Sequence, residues 1–458
     1  MIPFPVAGPS SGHKSARYSS EMTRNMYLDK AEGRSGVHDF PGLKPWVSKE
    51  GNDRGCHVMA AVLYQLSGNT LYRISSIGTA TALGTVAGLE RAIFADDGTN
   101  LYFVVEGLIY KYGGSLTTVT QTVVTNPSSI AYLNRKFIIT GDGGLFATSN
   151  PADGDTYNAL NFAEAETQPD PLLRCYIFNQ LAYMLGSKTT ELWYDAGTGN
   201  PPLQRQDTAL VNRGIAGKHA VINTDQFLYW LGDDRQAYQC VGANARTIST
   251  PGISHFIEEY STVSDCIAST FVFDGQHFIV FAFPTANKTL CYSETYQYWV
   301  DLGSADRWYG NTVLRVYEKN IAADHRNGNL YELDPDTYTD NGDTRIRTRT
   351  LPSFLGSMVR APGQQITVKQ VRINMTVGVG LETGQGINPV LMCEFSPDGG
   401  LTWQAEQFVS MGELGDYTIP VDFWDFSTGY EVRCRISCSD PVYLSMFDGQ
   451  VDIELAGF

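Results

Sequence analysis

No run of 18 or more apolar residues occurs anywhere in the 458-residue chain, too little for a membrane-spanning helix. Met1-Ile-Pro-Phe-Pro lacks the basic stretch and apolar core of a secretory signal, so folding in a cytoplasm is expected. Eight cysteines (56, 175, 240, 266, 291, 393, 434, 438) include no C-x-x-C pair, which argues for reduced core thiols over a disulfide framework or a zinc site. Only Cys434 and Cys438 are close, with equal parity on one strand. Histidine is scarce: the seven, at 13, 38, 57, 219, 255, 277 and 325, show no H-x-H, H-x-x-x-H or H-E-x-x-H spacing. No G-x-S-x-G elbow or phosphate-binding glycine loop is present, so no cofactor, metal or catalytic constellation is expected. Basic residues are outnumbered, 33 Lys and Arg against 49 Asp and Glu, for a formal charge of −16. That balance argues against a nucleic-acid-binding surface over the whole protein, while allowing contact with DNA at a non-adhesive wall. Sustained helical periodicity is also missing.

What the chain has is a degenerate repeat of short aromatic-rich hairpins. The second strand of each carries one of the pairs Leu71-Tyr72, Leu108-Ile109, Leu145-Phe146, Leu192-Trp193, Ala237-Tyr238, Leu290-Cys291 and Leu330-Tyr331. Successive spacings are 37, 37, 47, 45, 53 and 40 residues, straddling the roughly 40–50 residues of a four-stranded propeller blade. The preceding strands follow Gly, Asn or Asp turns and are apolar, as in Leu101-Tyr-Phe-Val-Val105 and Phe137-Ile-Ile139. The fold predicted is all-β: an approximately seven-bladed β-propeller followed by an antiparallel β-sandwich.

Composition divides the chain into three parts. Residues 1–44, with Pro3, Pro5, Pro9 and a Ser/Gly cluster at Ser10 to Gly12, are expected to form an extended arm, disordered or ordered by packing on something else. The propeller occupies 45–335. A turn-rich linker at Asp334–Asp343 leads into a C-terminal β-sandwich over 336–458, with strands expected at 365–377, 390–395, 403–410, 417–421, 430–437 and 450–455.

Three motifs could carry chemistry. Asp334, Asp336, Asp340 and Asp343 resemble a calcium loop but lack its central Gly and terminal Glu, and read better as an interdomain turn. Ser396-Pro-Asp-Gly-Gly-Leu-Thr-Trp403 matches the S-x-D-x-G-x-T-W Asp-box of sialidases and related propellers. That motif reports a hairpin and not catalysis, and it occurs once, outside the propeller. Arg345, Arg347 and Arg349 share one strand face by their period of two. They form a candidate interface, a docking strip for an acidic partner or phosphate, with a charged solvated edge strand as the plainer alternative.

Asn25-Met26, Phe40-Pro41-Gly42-Leu43, Arg54-Gly55, Tyr64, Leu71-Tyr72-Arg73, Ala165–Asp170, Gly186–Tyr194, Arg213–Gly217 and Ser396–Gly400 follow one another in an order that resembles the tail hub proteins of short-tailed bacteriophages. These podovirus tail accessory factors are also called packaged DNA stabilization proteins. The resemblance implies a noncatalytic virion protein, made in the host bacterial cytoplasm and placed in the virion tail. It further implies a hexameric ring below the portal and its adaptor protein, extending the DNA channel, closing it with a tail needle or plug, and anchoring tailspikes or fibres. Genomic DNA would pass through without sequence-specific binding. Six copies would carry six times −16, or −96, formal charges, and an acidic conduit would let DNA slide. An N-terminal arm that orders on a neighbouring copy would strengthen such a ring. The alternative is a glycan-binding propeller or sialidase-like glycoside hydrolase, for which several Asp-boxes in successive blades would be expected. A third class, a monomeric propeller adaptor, predicts an N-terminal segment used for blade closure.

Overall fold

Two-residue turns set the blade geometry. Ala60-Ala61, Asn134-Arg135, Asn179-Gln180, Asp274-Gly275 and Tyr317-Glu318 hold φ between 45° and 70° at both positions. Turns of this hand have the twist that suits tightly connected antiparallel strands. Each joins an inner strand to the second strand of a four-strand unit, as in the Met59–Val62, Leu133–Lys136 and Phe178–Leu181 pairings. The seven dipeptides of the repeat all fall in the third strands, where Leu71, Phe146, Leu192, Ala237, Leu290 and Leu330 are buried between neighbouring sheets.

The computed structural model describes the whole chain apart from residues 13, 14, 16–19, 32, 166–169, 425, 457 and 458. His13 and most of the Ala165–Asp170 motif therefore lie outside the described residues. Inner strands Asp53–Met59, Ile93–Asp96, Ser129–Leu133, Leu172–Phe178, Val221–Asn223, Ile267–Phe273 and Gly310–Val316 all line one central cavity. Six units are free-standing four-stranded sheets, the six separate blades of the propeller. The seventh, from Ile267–Phe273 to Tyr298–Leu302, is continuous with an eleven-stranded sheet. The expected count of about seven thus becomes six separate blades and one shared unit. The last blade is completed by Gly42–Val47, which pairs antiparallel with Leu330–Asp334, so ring closure is made by the N-terminal side of the chain.

The expected extended arm requires correction. Ile2–Pro5 pairs with Ser445–Leu455, and the hairpin Met26–Ala31/Arg34–Asp39 extends the same seven-stranded sheet. Ser20–Arg24 sits between the outer strand Tyr298–Leu302 and Arg347–Thr350, joining propeller to C-terminal sheet. What orders the segment is this chain's own apolar interior: Phe4, Val6, Met26, Leu28 and Val37 are buried among Val371, Phe395, Ile436 and Met446. Asn25 fastens the seam. Its amide donates to the carbonyls of Gly303 (3.1 Å) and Ile346 (2.8 Å), and its oxygen accepts from the Gly303 N–H (2.8 Å).

Beyond residue 336 two sheets face one another. One contains Val421–Trp424, Ile366–Met375 and Ser445–Leu455; the other contains Arg347–Thr350, Glu431–Cys438, Val390–Ser396 and Gln407–Ser410. The strand expected at 417–421 lies later, at Val421–Trp424, because Val421 and Phe423 are the inward pair. Among the described residues one α-helix, Pro251–Glu258, interrupts the β-structure. Thr250 caps it, accepting from the Ile253 N–H, and Pro251 occupies its first turn. No helix among the described residues is long and apolar enough to cross a membrane. Seven of the eight cysteines are buried and Cys56 is half-buried.

Candidate functional site

Arg345, Arg347 and Arg349 do share one face, but that face is turned inward: they are 2%, 0% and 0% exposed, while Ile346 between them is 37% exposed. The expected docking strip is therefore an internal ladder. Arg345 donates to the carbonyls of Phe40 (2.7 Å) and Pro41 (2.9 Å). Arg347 reaches the Val442 carbonyl (3.2 Å), the Asp440 carbonyl and, at 3.5 Å, the Asp39 carboxylate. Arg349 binds the Val6 carbonyl (2.7 Å), the Thr23 hydroxyl (3.2 Å) and the Glu21 carboxylate (2.6 Å). Burying a guanidinium costs least where its donors find acceptors, and here most of the acceptors come from residues 6–41, while Arg345 Nε and Arg347 Nε find none. Burial pushes the Asp39 and Asp340 carboxyls above the usual range, against the pull of Arg347 and Arg345.

The acidic linker likewise serves as structure. Asp334 is paired with Lys44 at 2.7 Å, and Asn341 donates its N–H to the Leu43 carbonyl at 2.8 Å, pinning the closing strand. Among the described residues no group of three or more His, Cys, Asp or Glu is placed to hold a metal ion.

Ser396–Trp403 forms the turn its motif predicts. The Asp398 carboxylate accepts from the Leu401 and Thr402 N–H groups (3.0 and 2.9 Å) and from the Thr402 hydroxyl (2.6 Å). The Arg435 guanidinium lies 4.3 Å from the Trp403 ring centre. Bonds from Thr402, then Ser396 and Leu401, hold the Asp398 carboxyl at about 2, against an ordinary 3.8. A depressed pKa means that the turn's contribution is complete above the ordinary carboxylate range and is lost as pH falls through about 2. Carboxyl NMR should give an Asp398 midpoint near 2; an unshifted midpoint would show the turn unformed.

The surface that the sequence reading did not single out lies between Leu401 and Tyr430. Phe408 (60%), Trp424 (61%), Phe426 (71%) and Tyr430 (64%) are all exposed, on or beside the edge strands Gln407–Ser410 and Val421–Trp424. Soluble domains rarely leave so many large apolar side chains together in water unless a partner covers them. The signal was present: in Val421-Asp-Phe-Trp-Asp-Phe426 aromatic residues occupy both parities, so one set must face away from the core.

Comparison with known proteins matches residues 2–338 to the family described as bacteriophage P22 Gp10, beta-propeller. No curated protein matches. Solved structures with a similar course include the WD40 beta propeller domain of Doa1, 11% identical over 64% of this chain and 96% of that one, with a TM-score of 0.43. A chain of the Mitotic Checkpoint Complex is 12% identical over 64% and 93%, with a TM-score of 0.46. The computationally designed Ika8 protein is 10% identical over 71% and 100%, with a TM-score of 0.41. These remote likenesses carry no functional argument.

Proposed function

This chain belongs to the phage-stabilisation family of bacteriophage P22 Gp10 β-propellers, and from that membership we propose that it is a noncatalytic tail hub of a short-tailed phage virion. In this reading six copies form a ring below the portal and its adaptor, continue the DNA channel, retain the packaged genome and present attachment surfaces for a needle or plug and for tailspikes or fibres. The single observation that carries it is the family match across 2–338.

Three physical features support the reading. The N-terminal segment welds propeller to sandwich within one chain, giving a stiff building block, and so the ring rests on surface contacts and not on an exchanged arm. Exposed Phe408, Trp424 and Phe426 suit such a contact. A formal charge of −16 per copy disfavours adhesion to DNA.

Two experiments test it. Particles produced without this protein should package their genome and then lose it; particles that keep DNA and infectivity would overturn the proposal. Replacing Trp424 and Phe426 with Ser should weaken incorporation into particles roughly tenfold or more, as loss of central interface aromatics does, with no fall in melting temperature. Unchanged incorporation would remove this surface from the assembly.

A further inference from the structure

We propose that the central cavity of the propeller is a binding site for a phosphate-class oxyanion, free or as the terminal group of a nucleotide, held by Arg91, Arg174 and His219. The cavity has a volume of about 440 Å³ and draws residues from all seven inner strands. That falls within the roughly 300–1,000 Å³ of small-molecule sites. Phe94, Tyr132 and Tyr176 line it beside the cationic groups.

Unmade hydrogen bonds lie on three of its lining residues. Arg91 Nε, Arg174 Nε and His219 Nε2 have no partner, although buried polar atoms are nearly always satisfied by protein, water or an ion. Arg174 donates through Nη1 to the Lys218 carbonyl (2.7 Å), and its guanidinium carbon lies 5.0 Å from the Tyr176 ring centre. No carboxylate among the described residues forms an ion pair with it.

The acids beside the cavity are already engaged. Asp53 accepts from Arg91 (2.9 Å) and from the Thr312 hydroxyl (2.8 Å). Asp96 lies 2.6 Å from His57 Nε2. Among the described lining residues Arg174 is therefore the guanidinium that no carboxylate neutralises. Burial, and then Arg91, Arg174 and Lys218, hold His219 far below the ordinary imidazole range, so it is neutral at pH 7 and can donate one N–H without adding repulsion. Asp53 and the Thr312 hydroxyl hold Arg91 Nη1 and Nη2, so Arg91 offers its Nε, and this donor together with the Arg174 guanidinium and a neutral imidazole N–H suits the several oxygens of a phosphate.

The test uses the full chain at constant ionic strength. Calorimetric titration with inorganic phosphate should give saturable binding. Arg174→Gln should weaken it at least tenfold, and Arg205→Gln, a surface control, should not. AMP binding as tightly as phosphate supports a site for the free anion, and tighter AMP binding supports a nucleotide. Should Arg174→Gln fail to fold, the wild-type protein still decides: added phosphate should move the His219 titration upward in NMR spectra. Absence of saturable binding at millimolar phosphate and AMP, binding indifferent to Arg174→Gln, or an unmoved His219 would overturn the proposal.

Discussion

Deleting residues 1–41 should unfold the C-terminal sandwich while leaving the propeller closed. The truncated chain keeps Gly42–Val47, the outer strand of the last blade, and so keeps ring closure. It loses Phe4, Val6, Met26, Tyr27, Leu28, Val37 and Phe40 from the shared interior. At about 1.5–3 kcal/mol for each large apolar side chain, the loss exceeds ten kcal/mol, comparable to the whole stability of a typical domain. It also strips Arg345 of its Phe40 and Pro41 acceptors and Arg349 of all four of its acceptor residues. Thiol labelling gives a sharp readout. Cys393, Cys434 and Cys438 in the sandwich should become reactive, while Cys175, Cys240 and Cys266 in the propeller stay protected. Uniform protection of all six would mean that residues 1–41 are a dispensable arm.

A comparably large effect is expected from one side chain. Arg349→Ala should destabilise the protein by about 3–5 kcal/mol, the usual consequence of removing one partner from a buried, hydrogen-bonded charge cluster. Val6, Pro9, Thr23 and Glu21 all lose a donor at once. Arg349→Lys should recover only part of the loss, because an ammonium cannot reproduce the planar fork. A solvated edge-strand arginine would instead contribute within about 0.5 kcal/mol. Equilibrium denaturation separates the two readings: a change below 1 kcal/mol for Arg349→Ala would show that the ladder does not bind the N-terminal segment to the sandwich.

The same arginines show how far the sequence could be read. Period two places Arg345, Arg347 and Arg349 together, but it cannot say which face is inside. Charge suggested solvent, whereas the carbonyls and carboxylates of residues 6–41 create a polar seam that buries them. Repeated dipeptides such as Leu71-Tyr72 and Leu330-Tyr331 were legible because blade packing imposes the same demand on every third strand. Ile2–Pro5 was not, since its partner Val451 lies far away in sequence and its prolines mask a strand. The helix Pro251–Glu258 has only eight residues, too few to establish periodicity. The exposed Trp424 and Phe426 were missed for a different reason: aromatic residues in a strand are ordinarily assigned to packing, and only the register in Val421–Trp424 reveals which of them face water.

The ring itself is tested most directly by the mass of the purified protein, with and without a coexpressed portal–adaptor ring, by light scattering and negative-stain imaging. The account predicts sixfold rings, alone or on the adaptor, with six times 50.5 kDa, or 303 kDa, contributed by this chain. A 50.5 kDa monomer indifferent to the adaptor would contradict it.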